Sequence, residues 1–290
     1  MGGKKIIELP EGYDIRDIEK LIKEDKQEKK VNQYRRALSL FIEIIKETKH
    51  KVIITLDGRD TAGKGYTLKK MTEYLDTRVF NIVSFGGIPK PEERKNWFER
   101  YSSHFFSEEK IITLFDRSWY NRAIVEPVMD FCTLEEYEDF MKKVIGFEES
   151  IISDQNTHFR KVYLSISREV QKKRLEEREE IMKRWKSSKV DEVAQQKWEK
   201  YTYAKRQVLE KTNVELTPWH VIDSNIRYLA VIEVIKLLIN SHQEVANIVS
   251  KKLKVNLKPN KKIYRLGKDE LILMNKRGEY GKPFNLRKAE

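Results

Sequence analysis

Two short clusters in this chain carry the residue types that handle phosphate. The first is Gly58-Arg59-Asp60-Thr61-Ala62-Gly63-Lys64, followed by Gly65. Its G-x4-G-K spacing is that of a loop whose backbone N–H groups point inward at an anion, and Lys64 adds a full charge where a transferring phosphoryl group has to be stabilised. Gly58, Arg59, Thr61, Ala62, Gly63 and Gly65 are the expected phosphate and nucleotide contacts. Gly65 stands where such loops carry the Ser or Thr that holds Mg²⁺, and Thr67 lies two residues on. Asp60 sits inside the loop, where an unpaired carboxylate would repel phosphate. It is therefore assigned to Mg²⁺ or to phosphoryl orientation; the plain alternative is an Asx bond that fixes the turn.

The second cluster is Asp116-Arg117-Ser118-Trp119-Tyr120-Asn121-Arg122, directly after the apolar run Ile111–Phe115. An acid at the carboxyl end of a buried strand is where a second metal ligand belongs, so Asp60 and Asp116 are the expected metal pair. A strand-end salt bridge from Asp116 to Arg117 or Arg122 is the alternative. Arg117 and Arg122 offer forked donors that lysine cannot copy, and Asn121 lies between them. Further on, Arg174 and Arg178 are four residues apart and share a helix face, with Lys183, Arg184 and Lys186 extending the basic run. Glu176, Glu177, Glu179 and Glu180 make a solvated surface helix the competing reading. The position after the fourth apolar run is where small phosphate-loop kinases carry a lid that closes over the nucleotide.

These residues need strands that end on one edge. Apolar runs at Val52–Leu56, Val79–Ser84, Ile111–Phe115, Val162–Ile166 and Trp219–Ile222 alternate with helical stripes such as Leu68, Met71, Leu75 and Trp97, Tyr101, Phe105. That alternation predicts an α/β fold: a phosphate-loop kinase with a parallel five-stranded sheet, helices on both faces and a helical lid, with the ligand at the strands' carboxyl ends. Val31, Tyr34, Leu38, Phe41 and Ile45 recur at helical spacing, and residues 11–30 read as an exposed helix or arm. The expected organisation is a helical extension over 1–46, a kinase core over 47–248 with a lid at about 168–211, and a basic tail over 249–290.

Composition narrows the partners. The formal net charge is +12, and residues 251–290 hold 13 Lys/Arg against 4 Asp/Glu. A basic tail fits loose association with a polyanion. Ile263-Tyr264-Arg265-Leu266 and Leu271-Ile272-Leu273-Met274 interrupt it, which points to packing on the core or on another subunit. No apolar run approaches the length of a membrane span, and the start lacks a long apolar stretch, so no membrane partner and a cytoplasmic location are expected. The single cysteine, Cys132, excludes an internal disulfide.

Together these segments resemble the polyphosphate kinase 2 family. The resemblance rests on Asp57 through Gly65, Phe115-Asp116-Arg117-Ser118-Trp119-Tyr120-Asn121-Arg122-Ala123, Lys183-Arg184-Trp185-Lys186, Trp198 with Tyr201 and Ala204, and Pro218 through Asn225. It runs from about residue 30 to 245. It implies an Mg²⁺-dependent kinase that moves a terminal phosphoryl group between inorganic polyphosphate and a nucleotide, commonly as a homo-oligomer. Asp60 and Asp116 would serve metal and phosphates, Lys64 and Arg117 the reacting phosphates, with Arg178 reaching in from the lid. Gly-Arg-Asp with Gly65 is similar to members that mainly convert a nucleoside diphosphate to the triphosphate, as ADP to ATP. Ile226 and Glu179-Glu180-Ile181 depart from the family pattern and leave the choice among ADP/ATP, GDP/GTP and AMP open.

A chain of phosphates as second substrate calls for a cationic path, for which Lys69, Lys70, Lys90, Arg94, Lys95 and Arg100 are candidates, each also readable as ordinary surface charge. The acceptor is already a phosphate anion, so no histidine base is needed. His50, His104, His158, His220 and His242 are scattered in sequence without metal-ligand spacing. Three rivals remain at this level: polyphosphate-dependent phosphorylation of AMP, an ATP-dependent nucleoside monophosphate kinase of thymidylate kinase type, and a basic nucleic-acid-binding protein. The last explains the tail but not Asp60, Lys64 and Asp116, so no specific nucleic acid is expected.

Overall fold

The computed structural model describes residues 15–86, 88–106, 110–182 and 195–288. The five apolar runs become parallel strands β1 (Lys51–Gly58), β2 (Phe80–Ser84), β3 (Ile112–Asp116), β4 (Thr157–Ser165) and β5 (Trp219–Asp223). A further strand, β6 (Tyr264–Leu266), pairs antiparallel with β5, giving the order β2-β3-β1-β4-β5-β6. The five-stranded sheet expected from the sequence is thus a six-stranded one among the described residues. Three residues inside a charged tail are too few to display a strand's two-residue period. β4 also starts before its apolar run. Its polar residue Lys161 is fully buried, and its Nζ donates to Glu148 at 2.6 Å, Thr212 O at 2.8 Å and the Tyr120 hydroxyl at 3.1 Å. A buried charge survives there because every donor is answered.

Each face of the sheet is covered by helices, as the βα alternation requires. On one face the helices Ile15–Glu47, Lys64–Thr72, Arg227–Ile239 and Gln243–Leu253 share a mainly aliphatic core. Val31, Tyr34, Leu38, Phe41 and Ile45, the predicted stripe, are all buried in it. The charged stretch before Val31 continues the same helix back to Ile15. The other face is aromatic: Trp97, Tyr101, Phe115, Trp119, Tyr120 and Trp219 pack with the helices Leu134–Ile152 and Trp198–Thr212.

The basic tail is woven into this second core. The helix Gly267–Arg277 lies against Trp198–Thr212 and β5. Phe284 meets Tyr137 and Tyr203 edge-on, and the Leu134 N–H donates to Arg287 O at 2.9 Å. The helix Gln243–Leu253 runs through the boundary expected at 248–249. Among the described residues no helix is long and apolar enough to cross a membrane.

The histidines need a correction. His50, His158 and His242, far apart in sequence, converge at the amino-terminal edge of the sheet. Burial and the neighbouring His242 and His50 rings push His158 down to about 4. Spacing along the chain could not reveal this, because the three lie on separate elements that only the sheet brings together.

Candidate active site

The phosphate loop leaves the carboxyl end of β1, the strand flanked by β3 and β4. Gly58 has φ +142°, and a Cβ there would lie 2.4 Å from Leu164 O on β4. Only glycine lets the loop depart so close to the neighbouring strand. Gly58→Ala is therefore expected to cost about 2–3 kcal/mol. A urea denaturation curve checks this, and an unchanged midpoint would mean the loop is not held as described. Thr61 and Gly63 also take positive φ, and the helix Lys64–Thr72 then points its amino terminus, with no acid in its first turn, into a cleft of about 610 Å³. Backbone N–H groups and the helix dipole suit this end to an anion.

Lys64 is buried, and its Nζ donates to Gly58 O at 2.9 Å and Arg59 O at 3.0 Å. Burial and the nearby Arg117 charge lower it to about 8, against the pull of Asp60, Asp116 and Asp57. Asp57, the penultimate residue of β1, is out of solvent; burial pushes its carboxyl up to about 6 despite its bonds with Ser118. It accepts from the Ser118 hydroxyl at 2.6 Å and the Ser118 N–H at 3.1 Å. The Arg117 N–H donates to Leu56 O at 3.0 Å, so the second cluster is fastened beside the first.

Asp116 pairs in register with Leu56 and faces the cleft. Its Oδ2 lies 3.3 Å from where a Cβ on Gly65 would stand. A Ser or Thr side chain at 65 would therefore press on this carboxylate. Arg117, with φ +70°, donates to Asp60 Oδ1 at 2.6 Å. Burial alone would raise Asp60, but the Arg117 and Lys64 charges outweigh it and hold the carboxyl below its ordinary range. Two carboxylates with hard oxygen donors, facing one anion pocket, suit a small divalent cation such as Mg²⁺.

Asp60, Thr61, Gly63, Lys64, Gly65, Asp116, Arg117, Arg174 and Arg178 all line this cleft. Other predicted contacts do not. Arg59 lies over the Trp198 ring at 3.7 Å and donates to Trp198 O and the Thr202 hydroxyl, tying the loop to the helix Trp198–Thr212. Arg122 is buried with Glu126 and Glu136, at 3.0 and 2.9 Å, over the Trp97 ring. Thr67 is buried, and Asn121 opens a short helix away from the cleft lining. Arg174 reaches the cleft, but its guanidinium donates to Thr61 O at 2.9 Å, Ser224 O at 2.6 Å and Asn225 O at 3.1 Å. It fastens the loop to the end of β5.

Of the proposed cationic path, Lys70 pairs with Glu28 and Glu73, Arg94 with Glu136, and Arg100 with Glu93. Lys69, Lys90 and Lys95 are exposed and stand outside the cleft lining. Lys183, Arg184 and Lys186, with part of the expected lid, lie outside the described residues.

Sequence reasoning missed Tyr66, Ser84, Glu177 and Arg227 in the lining. Arg227 had left a signal. It begins the helix Arg227–Ile239, whose first turn has no acid, and a cation at a helix amino terminus opposes the dipole unless something else holds it there. In the structure Glu177 lies 3.7 Å away.

The chain is similar to known proteins. A family profile described as Polyphosphate kinase 2 matches residues 21–249. The ADP-polyphosphate phosphotransferase of Pseudomonas aeruginosa is 40% identical over 182 residues, 61% of this chain and 58% of its own length. The chain thus spans about three fifths of that curated relative. The GDP-polyphosphate phosphotransferase of Mycobacterium tuberculosis is 36% identical over 211 residues, 72% of this chain and 70% of its own. The crystal structure of Polyphosphate Kinase 2 from Arthrobacter aurescens shares the fold, with a TM-score of 0.63 at 24% identity over 87% of this chain and 84% of that one. With the phosphate loop, the paired acids and the profile match all falling on the same stretch, the chain belongs to the polyphosphate kinase 2 family.

Proposed function

We propose that this chain moves the terminal phosphoryl group of inorganic polyphosphate to a nucleoside diphosphate, ADP to ATP, reversibly and with Mg²⁺. The observation that carries this is the cleft itself: Lys64, Arg117 and Arg178 converge with Asp60 and Asp116 on a helix amino terminus, with no histidine or cysteine among the described residues of the lining. The names of the two phosphotransferase relatives support the same substrates.

The reaction forms a bond from a β-phosphate oxygen of the nucleotide to the terminal phosphorus of the chain. The bond from that phosphorus to its bridging oxygen breaks, and the electron pair stays with the shortened polyphosphate. No hydroxyl is deprotonated, so catalysis reduces to positioning and charge neutralisation. Two of the three Nζ donors of Lys64 hold loop carbonyls, leaving the third for a phosphate oxygen. Arg117 is anchored on Asp60 by one nitrogen and presents the rest of its fork to the cleft. Asp60 and Asp116 would hold Mg²⁺, which when bound neutralises charge on phosphate oxygens. A cytoplasmic, homo-oligomeric enzyme is part of this reading.

Incubation with Mg²⁺, long-chain polyphosphate and ADP, GDP or AMP separately, followed by chromatography of the nucleotides, tests it. ATP from ADP is expected, and excess EDTA should stop its formation. Turnover undiminished in EDTA would remove the metal assignment, and product from AMP alone would move the acceptor to a monophosphate.

A further inference from the structure

Three of the five histidines meet far from the cleft. His50 immediately precedes β1, His158 is the second residue of β4, and His242 is the N-cap of the helix Gln243–Leu253. His158 Nε2 lies 3.1 Å from His50 Nδ1, and His242 Nε2 lies 3.3 Å from His50 Nε2. One ring nitrogen from each falls within 4.8 Å of the other two. These contacts join residues 108 and 192 positions apart. The phosphate loop is at the other end of β1, an eight-residue strand, so the two places are roughly 20–25 Å apart.

We propose that His50, His158 and His242 form a three-imidazole site for a divalent transition metal ion, Zn²⁺ above all, at the edge of the sheet opposite the phosphate cleft. Among the described residues this is the group of three ligand-type side chains close enough to share one ion. Three nitrogen donors with a fourth position left for water make a complete tetrahedral set for Zn²⁺. Imidazole selects Zn²⁺, Ni²⁺ or Cu²⁺ and is a poor donor for Mg²⁺, so this site and the carboxylate cleft discriminate between metals by donor type.

Binding requires a small rearrangement. His50 now turns a different nitrogen to each neighbour and must present one of them to the ion. Tetrahedral coordination at about 2.0–2.1 Å brings the ligand nitrogens to about 3.4 Å from each other, which ring rotation supplies. Coordination through His242 Nε2 places the proton on Nδ1 and releases its present acceptance of the Val245 N–H, a contact already long at 3.5 Å. An ion held here would lock together the starts of two central strands and the helix that packs on the long amino-terminal helix.

The test uses the full chain, stripped with chelator and dialysed, and Co²⁺ as a coloured stand-in for Zn²⁺. Tetrahedral Co²⁺ absorbs strongly, whereas six-coordinate Co²⁺ among the oxygens of the cleft absorbs weakly, so the readout is independent of phosphotransfer. One equivalent should saturate the intense band. Zn²⁺ should erase it, excess Mg²⁺ should not, and Zn²⁺ should raise the melting temperature by several degrees. His158→Ala should abolish the band and weaken Zn²⁺ at least about tenfold, since even loss of a residue supporting a ligand costs that much. If this variant does not fold, His242→Asn, which keeps a capping side chain, gives the same comparison. Absence of an intense band, or an unchanged band in the folded variants, overturns the proposal and leaves the trio as a hydrogen-bonded chain of rings.

Discussion

Lys64→Ala is expected to lower kcat by about 10²–10³-fold or more, with the fold intact. The side chain delivers its charge where phosphate charge is redistributed, and among the described residues it is Lys64 that stands between the Gly58 and Arg59 carbonyls. Its loss leaves those two carbonyls without this donor, so stability should fall by only about 1–3 kcal/mol, which thermal unfolding will separate from the kinetic effect. Near-normal turnover in the folded variant would mean that the loop is a structural turn. The same lysine predicts a pH profile. Burial and Arg117 put it at about 8 in the free protein, and its charged form is the one that holds phosphate. kcat/KM should therefore decline as pH rises through about 8. A profile that stays flat well above that pH would show that Lys64 does not need its charge.

Arg178→Ala should depress kcat by on the order of 10³-fold, by analogy with arginines that enter a phosphoryl-transfer site from outside, with a smaller change in nucleotide affinity. Arg178 lies one turn beyond Arg174 on the helix Arg168–Met182 and lines the cleft, and its charge is felt by Asp60. Arg174 anchors that helix to the loop, so Arg178 is delivered from a fixed base. Arg178→Lys should restore little, because the planar fork is lost. A residue of a merely solvated helix would leave turnover alone and cost under about 1 kcal/mol. Steady-state kinetics of both folded variants decides between these; wild-type turnover in both returns Arg178 to ordinary surface charge.

What could be read from the sequence was local. The five parallel strands showed as apolar runs, and the loop showed as glycines and a lysine at fixed spacing, since both depend on neighbours in the chain. What could not be read depended on partners brought from elsewhere. Arg59, Arg122 and Arg174 are the right type for phosphate, yet a tryptophan ring, two glutamates and three carbonyls respectively take them up. Asp57, next after an apolar run, shows no partner in the sequence until Ser118 is folded against it. β6 and the histidine trio exist only once separate segments are placed side by side.

The tail's part in the sheet sets an order of events during synthesis. A chain emerges amino terminus first, and β1 to β5 are all made before Tyr264–Leu266 appears. Until then the outer side of β5 is a row of unpaired amides and carbonyls, a template for another nascent chain, and the aromatic face lacks Met274, Phe284 and Leu286. The growing polypeptide thus carries a nearly finished sheet that is open along β5 as well as along β2. Slowing of translation over these last residues, or fusion of a bulky partner that delays their docking, should show itself as aggregation of newly made protein well before any loss of activity in the molecules that finish folding.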